Sequence, residues 1–293
     1  MAEMVAASQR SRKRRPFFLR DSRLLLLPAV IFQVAFFLMP LLLVTSQSLF
    51  DPDFTLGHYA ETFNNPVYSK VLIQTVRLAI IVTVISVVLG YPLAYVIAHS
   101  GRIVAGLLLL AVLVPLWTSL LTRTYSFQVL LGHQGIVNEF LVNIGIVNEP
   151  LPLMFNLFTA TSGMVHALLP FVVLPCLAVM RGIDASYVNA ARSLGGSPWQ
   201  AFRHIYLPLS MPGLVTAVIL TFILALGFFV TPVILGGIDE FTIAGLIALQ
   251  MQQRLEWGLG GALSIVLLVM TAVLVYAYQR RYGLDRLLGG GAR

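Results

Sequence analysis

The chain has 293 residues, of which 58% are hydrophobic and only 11% charged, with a formal net charge of +7. Soluble domains carry about 25% charged residues, so the composition excludes a soluble globular protein and describes an integral membrane one. Cys176 is the single cysteine, which excludes a disulfide framework.

Residues 1–23 read as a basic tail, with Arg10, Arg12, Lys13, Arg14, Arg15, Arg20 and Arg23. Nucleic-acid contact is the competing reading of the Arg12–Arg15 run. About 20 apolar residues cross a bilayer as a helix. Uncharged runs of that order recur six times, at 24–50, 78–98, 103–122, 150–180, 205–238 and 257–279. The first run is too long for the core of a signal peptide, and no small-residue cleavage site clearly follows it. It is expected to stay as an anchor. Between spans one and two, Asp51-Pro52-Asp53, Gly57 and Asn64-Asn65-Pro66 are turn formers. Residues 123–149 form a long excursion between spans and repeat Gly-Ile-Val-Asn-Glu at 135–139 and 145–149. The run Phe241–Leu249 is apolar but too short to cross, and is expected as an interfacial or re-entrant piece. Residues 283–293 form a C-terminal tail.

Lys and Arg mark the cytoplasmic side of a membrane protein. With six spans, 15 of the 19 basic residues fall on one side: the two tails, Arg102, and Arg181, Arg192 and Arg203. The opposite side collects Asp51, Asp53, Glu61, Glu139, Glu149, Asp239, Glu240 and Glu256. Both termini are therefore expected in the cytoplasm. Prolines interrupt several spans, at Pro92, Pro115, Pro170, Pro175 and Pro232. A kinked membrane helix is tolerated where neighbours or a cavity satisfy the freed carbonyl, and kinks suit a protein that rocks between states.

Familiar catalytic signatures do not occur. A P-loop needs Gly-Lys-Ser/Thr around phosphates; the only lysines are Lys13 and Lys70, and neither follows a glycine. His58, His99, His133, His166 and His204 have no metal-ligand spacing. An intramembrane enzyme, the alternative class, would need carboxylates or a nucleophile at depth, and the spans lack clustered carboxylates.

The most specific stretch lies between spans four and five. It reads Asn189-Ala190-Ala191-Arg192-Ser193-Leu194-Gly195, then nine residues, then Ile205-Tyr206-Leu207-Pro208. Two alanines leave a low-relief helix face that a partner can approach closely. Gly195-Gly196 stops that helix, because glycine accepts the left-handed C-terminal cap. Ser197-Pro198 starts another, as N-cap and first-turn residue. Trp199 and Phe202, three apart, share its face.

This loop resembles the coupling loop of ABC-importer permeases, Glu-Ala-Ala, three residues, Gly, nine residues, Ile-x-Leu-Pro. Asn189 departs from the usual Glu. Val114-Pro115-Leu116-Trp117-Thr118, Leu121-Thr122-Arg123-Thr124-Tyr125, Asn138-Glu139-Phe140-Leu141, 168–175 and 207–213 are similar to the first permease of spermidine/putrescine importers. The resemblance covers roughly 24–282. It implies an all-α membrane protein with six transmembrane helices in the type I importer permease fold, multi-pass in a bacterial inner membrane. It further implies four partners besides lipid: a second homologous permease, two copies of an ATPase, and an external solute-binding protein. No cofactor is expected on this chain, since ATP and Mg²⁺ belong to the ATPase. The expected solute is a polyamine or related small amine, the alternative being an amino-acid derivative or other small nitrogenous solute. The ATPase-coupling residues would be Tyr187, Asn189, Ala190, Ala191, Leu194, Gly195, Ser197, Trp199 and Phe202 in a loop spanning about 181–206.

The solute pathway is expected to be lined by Trp117, Thr118, Thr122, Arg123, Tyr125, Glu139, Phe228 and Phe229. Arg123 reads as a pathway residue or a snorkelling anchor, since charge at depth is costly. Trp117 and Tyr125 fit the pathway or an interfacial belt equally well. Phe228 and Phe229 read as a gate or as core, and His166 as a packed, hydrogen-bonded histidine.

Overall fold

A computed structural model describes residues 22–51 and 53–282. Most of the basic N-terminal tail, and all of the C-terminal one, lie outside the described residues. Regular structure among the described residues is helical, apart from one isolated bridge pairing Phe50 with Phe54. Five helices are long and apolar enough to cross a bilayer, or six if one sharply bent pair counts as a span.

Helix α1, Ser22–Leu49, leads in, and α2, Gly57–Asn64, is a short surface helix. Helix α3, Pro66–His99, has 34 residues and so is about 51 Å long at 1.5 Å per residue. It begins twelve residues ahead of the uncharged run, because Asn65 and Pro66 supply the start: the Asn65 carboxamide accepts the Val67 N–H at 3.0 Å. The hydropathy signal stops at Arg77; the helix does not.

Span three is corrected. The sequence predicts one helix over 103–122, but α4 stops at Arg102–Trp117, Thr118 and Ser119 are extended, and α5, Leu120–Leu131, leaves at a bend of 105°. Sixteen residues make α4 only about 24 Å long. Helix α6, Ile136–Asn143, follows. Span four starts late: 150–156 are not helical, and α7, Leu157–Met180, begins where the Asn156 side chain accepts the Thr159 N–H at 3.1 Å. Helices α8, Ala185–Ser193, and α9, Pro198–Ala201, form the next loop, and a π-helical turn at Phe202–Tyr206 leads into α10, Leu207–Leu226. Span five then breaks at 227–229 before α11, Val230–Leu235, and a 3₁₀ turn, Ile238–Glu240. Helix α12, Ile243–Leu249, a π-helical turn, Gln250–Arg254, and α13, Trp257–Tyr282, complete the chain. Helices α3 and α7 run through Pro92, Pro170 and Pro175 without ending, so the interruptions fall elsewhere than most of the prolines suggest.

The centre is a three-helix bundle of α3, α7 and α10, each touching the other two. One buried cluster, with Ala94, Ile97, Val172, Cys176, Met180 and Ala217, fills the end near α8; a second, with Leu78, Val82, Met164, Leu168 and Leu226, fills the other end. Close approach sets this packing. A Cβ on Gly213 of α10 would sit 2.8 Å from the Pro175 carbonyl oxygen of α7, so only glycine fits there. The Phe241–Leu249 segment packs one face inward: Ile243 and Leu246 are buried against α3 and α13. The Ile243 N–H donates to Thr75 Oγ1 of α3 at 2.8 Å, satisfying a buried amide. By contrast, α1 is exposed along almost its whole described length and rests only its last turns on α13.

Candidate functional site

The loop between α7 and α10 is built from capping chemistry. Asp184 caps α8 by accepting the Ser186 N–H at 2.8 Å, and the hydrogen bonds from Ser186 hold its carboxyl below the ordinary value. At the other end Gly195 takes φ +89°, in the left-handed region. Gly196 N–H donates to the Ala191 carbonyl and Gly195 N–H to the Arg192 carbonyl, each at 3.0 Å. Those two bonds are the paired pattern that ends a helix on a left-handed residue. Ser197 and Gln200 then form a reciprocal capping box, at 2.8 and 3.2 Å, with Pro198 in the first turn.

Helix α8 has no buried residue, and it divides into two faces. Ala185, Val188, Asn189 and Arg192, at i, i+3, i+4 and i+7, line a cavity of about 480 Å³ against the ends of α3 and α7. Tyr187, Ala190 and Leu194 lie on the other side, where Leu194 is 90% exposed and Tyr187 is 58% exposed. Ala191 is half-buried. Asn189, grouped by the sequence with the ATPase-coupling residues, thus lines the inner seam between α8 and the bundle. Trp199, 65% exposed, stacks on Phe202 at 5.6 Å, and Phe202 stacks on Tyr206 at 6.0 Å. Phe202 meets Tyr95 of α3 edge-on at 5.6 Å. The exposed Trp199 of α9 is therefore linked by ring contacts into the core.

The second group of residues gathers at the α4–α5 bend. Arg123 reaches back across it, donating to the Pro115 carbonyl, and to the Thr118 carbonyl and hydroxyl at 3.1 and 3.3 Å. The Pro115 carbonyl also accepts the Thr118 N–H at 3.3 Å and hydroxyl at 2.9 Å, and a cation at this helix end complements the dipole. Trp117 is 76% exposed and Tyr125 55%; Thr118 and Thr122 are exposed as well. The break in span five lies alongside: Thr124 Oγ1 of α5 and Thr231 Oγ1 of α11 are 3.3 Å apart. Phe228 packs against the core cluster, while Phe229 is 40% exposed. Glu139 is exposed in the first turn of α6 and joins no ion pair among the described residues. Beside it, buried Asn138 bonds the Gly132 carbonyl and both backbone groups of Leu151, pinning the excursion. The two Gly-Ile-Val-Asn-Glu copies fold differently, the first entering α6 and the second following Gly145 at φ +75°.

His166 is corrected. It is exposed on α7, makes no hydrogen bond among the described residues, and lines an apolar cavity of about 730 Å³ with Ile85, Leu89, Phe158, Thr161 and Ser162. The Phe127 ring lies 5.8 Å from its own. Thr161 Oγ1 is buried there without a hydrogen-bond partner among the described residues. The sequence reading passed over Thr161 and Ser162, although Phe158, Ser162 and His166, spaced by four, mark one helical stripe.

Comparisons with known proteins agree with this architecture. Residues 78–282 match the family described as binding-protein-dependent transport system inner membrane component. The chain is 34% identical over 255 residues to the spermidine/putrescine transport system permease protein PotB of Salmonella typhimurium, covering 84% of this chain and 88% of that one. The PotB of Escherichia coli is 33% identical, with 84% and 92% covered. Among solved structures, a bacterial ABC transporter involved in the import of the acidic polysaccharide alginate superposes with a TM-score of 0.71 at 17% identity, covering 88% of this chain and 94% of that one. That likeness concerns the fold alone. The chain belongs to the family of inner-membrane components of binding-protein-dependent transport systems, the permease subunits of type I ABC importers.

Proposed function

We propose that this permease passes a small amine, with polyamines such as spermidine or putrescine first, through a pathway formed with a second homologous permease. Transport is driven by two copies of a cytoplasmic ATPase, which carry the ATP and Mg²⁺, and an external binding protein delivers the solute. The observation that carries the solute class is the 33–34% identity, over 84% of the chain, to permeases named for spermidine and putrescine. The cavity containing His166 supports it. An ammonium group there would meet the imidazole, the Thr161 and Ser162 hydroxyls and the Phe158 ring, which are acceptors and π faces. That lining contains no carboxylate, which favours a singly charged or zwitterionic amine as the second reading.

The loop over 181–206 is the ATPase dock, presented through Tyr187, Ala190, Leu194 and Trp199. Its Arg181, Arg192 and Arg203 support a cytoplasmic position for it and for both termini. The acidic side, with Asp51, Glu61, Asp239 and Glu256, faces outward and draws cations by long-range fields. The test is a binding screen of the cognate solute-binding protein, paired with uptake competition in cells. Tight binding of an amine, and competition by it, is the expected result. Binding of a sugar or inorganic anion, with no affinity for amines, would end the solute assignment.

A further inference from the structure

The inner side of α8 borders an open cavity, whose polar lining residues are solvent-exposed and take no part in the proposed outward dock. Arg181 and Arg192 line it, together with His99 and the Asn189 carboxamide, and no carboxylate does. Neither arginine is ion-paired among the described residues, whose one ion pair, Lys70 with Asp239 at 3.1 Å, is elsewhere. Asp184, the nearest acid in sequence, is committed to the Ser186 N–H. His99 Nδ1 is 2.8 Å from the Tyr95 carbonyl, which leaves Nε2 without a hydrogen bond among the described residues. Tyr95 and Phe202 supply much of the apolar wall.

We propose that this cavity binds a phosphate group. Two guanidinium forks match phosphate oxygens bidentately, and the Asn189 amide adds neutral donors. At about 480 Å³ the cavity also has room for part of the molecule that carries the phosphate. Two sources present the same group at this end of the bundle: the headgroup of an anionic phospholipid in the inner leaflet, and a soluble phosphate compound. Bound there, the phosphate bridges Arg192 of α8 to Arg181 beyond α7, on the side opposite Tyr187, Ala190 and Leu194. It therefore stiffens the loop without covering its outward face. This inference rests on the cytoplasmic placement proposed above, and not on the identity of the solute.

The test uses the assembled importer in two arms. In one, nanodiscs of phosphatidylcholine with increasing phosphatidylglycerol are read by native mass spectrometry for retained lipid. In the other, inorganic phosphate is titrated in pure phosphatidylcholine, with the unfolding temperature as readout. The wild type should retain phosphatidylglycerol in preference, or shift upward with phosphate, and the arm that responds names the source. Arg181→Gln with Arg192→Gln should weaken the response at least about tenfold, the loss expected for charge-assisted hydrogen bonds. Asn189→Glu, whose carboxylate would occupy the site from within, should weaken it similarly while keeping both arginines. Equal responses in wild type and variants would overturn the site, as would no response in either arm. A response of the isolated permease that vanishes on assembly would also overturn it, because the ATPase would then fill the cavity. A reporter fused after Arg293 and read in cells separates the two readings: a cytoplasmic reporter with no phosphate response sinks the site alone.

Discussion

Tyr95 of α3 meets Tyr206, at the start of the α10 span, edge to face, with centroids 5.1 Å apart and planes at 84°. Phe202 makes a second edge contact with Tyr95 at 90° and stacks on exposed Trp199. A push on α9 from outside the bundle therefore reaches α3, the longest helix, through close-packed rings. Phe202→Leu should loosen that link. Each aromatic pair is worth about 0.5–1.5 kcal/mol beyond area, so heat unfolding should drop by a few degrees at most. Solute moved per ATP hydrolysed should fall more steeply than folding. A proportional fall in both would make Phe202 a packing residue only.

Arg123 holds the α4–α5 bend through several acceptors at once. Lysine cannot reproduce that fork. Arg123→Lys and Arg123→Gln should both cost about 1.5–3 kcal/mol of stability, the range for hydrogen bonds to charged groups, and both should reduce uptake. Full activity in Arg123→Lys would show that charge alone suffices.

Asp184 sets a pH limit on α8. Its folded carboxyl sits below the ordinary value because it accepts hydrogen bonds from Ser186. The cap is therefore fully present above the unfolded value near about 4 and is lost as pH falls through the folded one. Amide exchange over 185–188, corrected for intrinsic rates, should be flat from about pH 5 to 8. Asp184→Ala should raise exchange across that whole window, and Asp184→Asn much less. Wild-type protection that decays already near neutral pH would contradict this origin of the cap.

His166→Leu keeps size and removes the acceptor facing the α3–α7 cavity. If solute passes there, uptake should fall several-fold with intact assembly, and His166→Gln should recover part of it. Unchanged uptake in His166→Leu would remove this face from the pathway.

Much of this fold is legible in the sequence. Uncharged runs gave the apolar segments, and Asn-Ala-Ala with Gly195-Gly196 and Ser197-Pro198 marked two capped helices, because caps are local chemistry. The breaks were less legible. Of the prolines, Pro92, Pro170 and Pro175 lie where the helices continue, while Pro115 and Pro232 each stand three residues from a break, at Thr118–Ser119 and at 227–229. The first turn depends on Arg123 finding carbonyls eight and five residues back, which no window of hydropathy registers. The length of α3 was hidden by Lys70 and Arg77, and the two faces of α8 became visible only once the ends of α3 and α7 stood behind one of them.

The dock proposed on α8 is the centre of the functional account, and Leu194, 90% exposed near Tyr187 and Ala190, is its most accessible probe. The direct measurement is the ATPase rate of the reconstituted complex, with and without solute-loaded binding protein, for wild type, Leu194→Asp and Ala190→Arg. The account expects both variants to fold and insert normally but to lose most of the stimulation, since each places charge on an apolar contact face. Stimulation equal to wild type in both variants would contradict it.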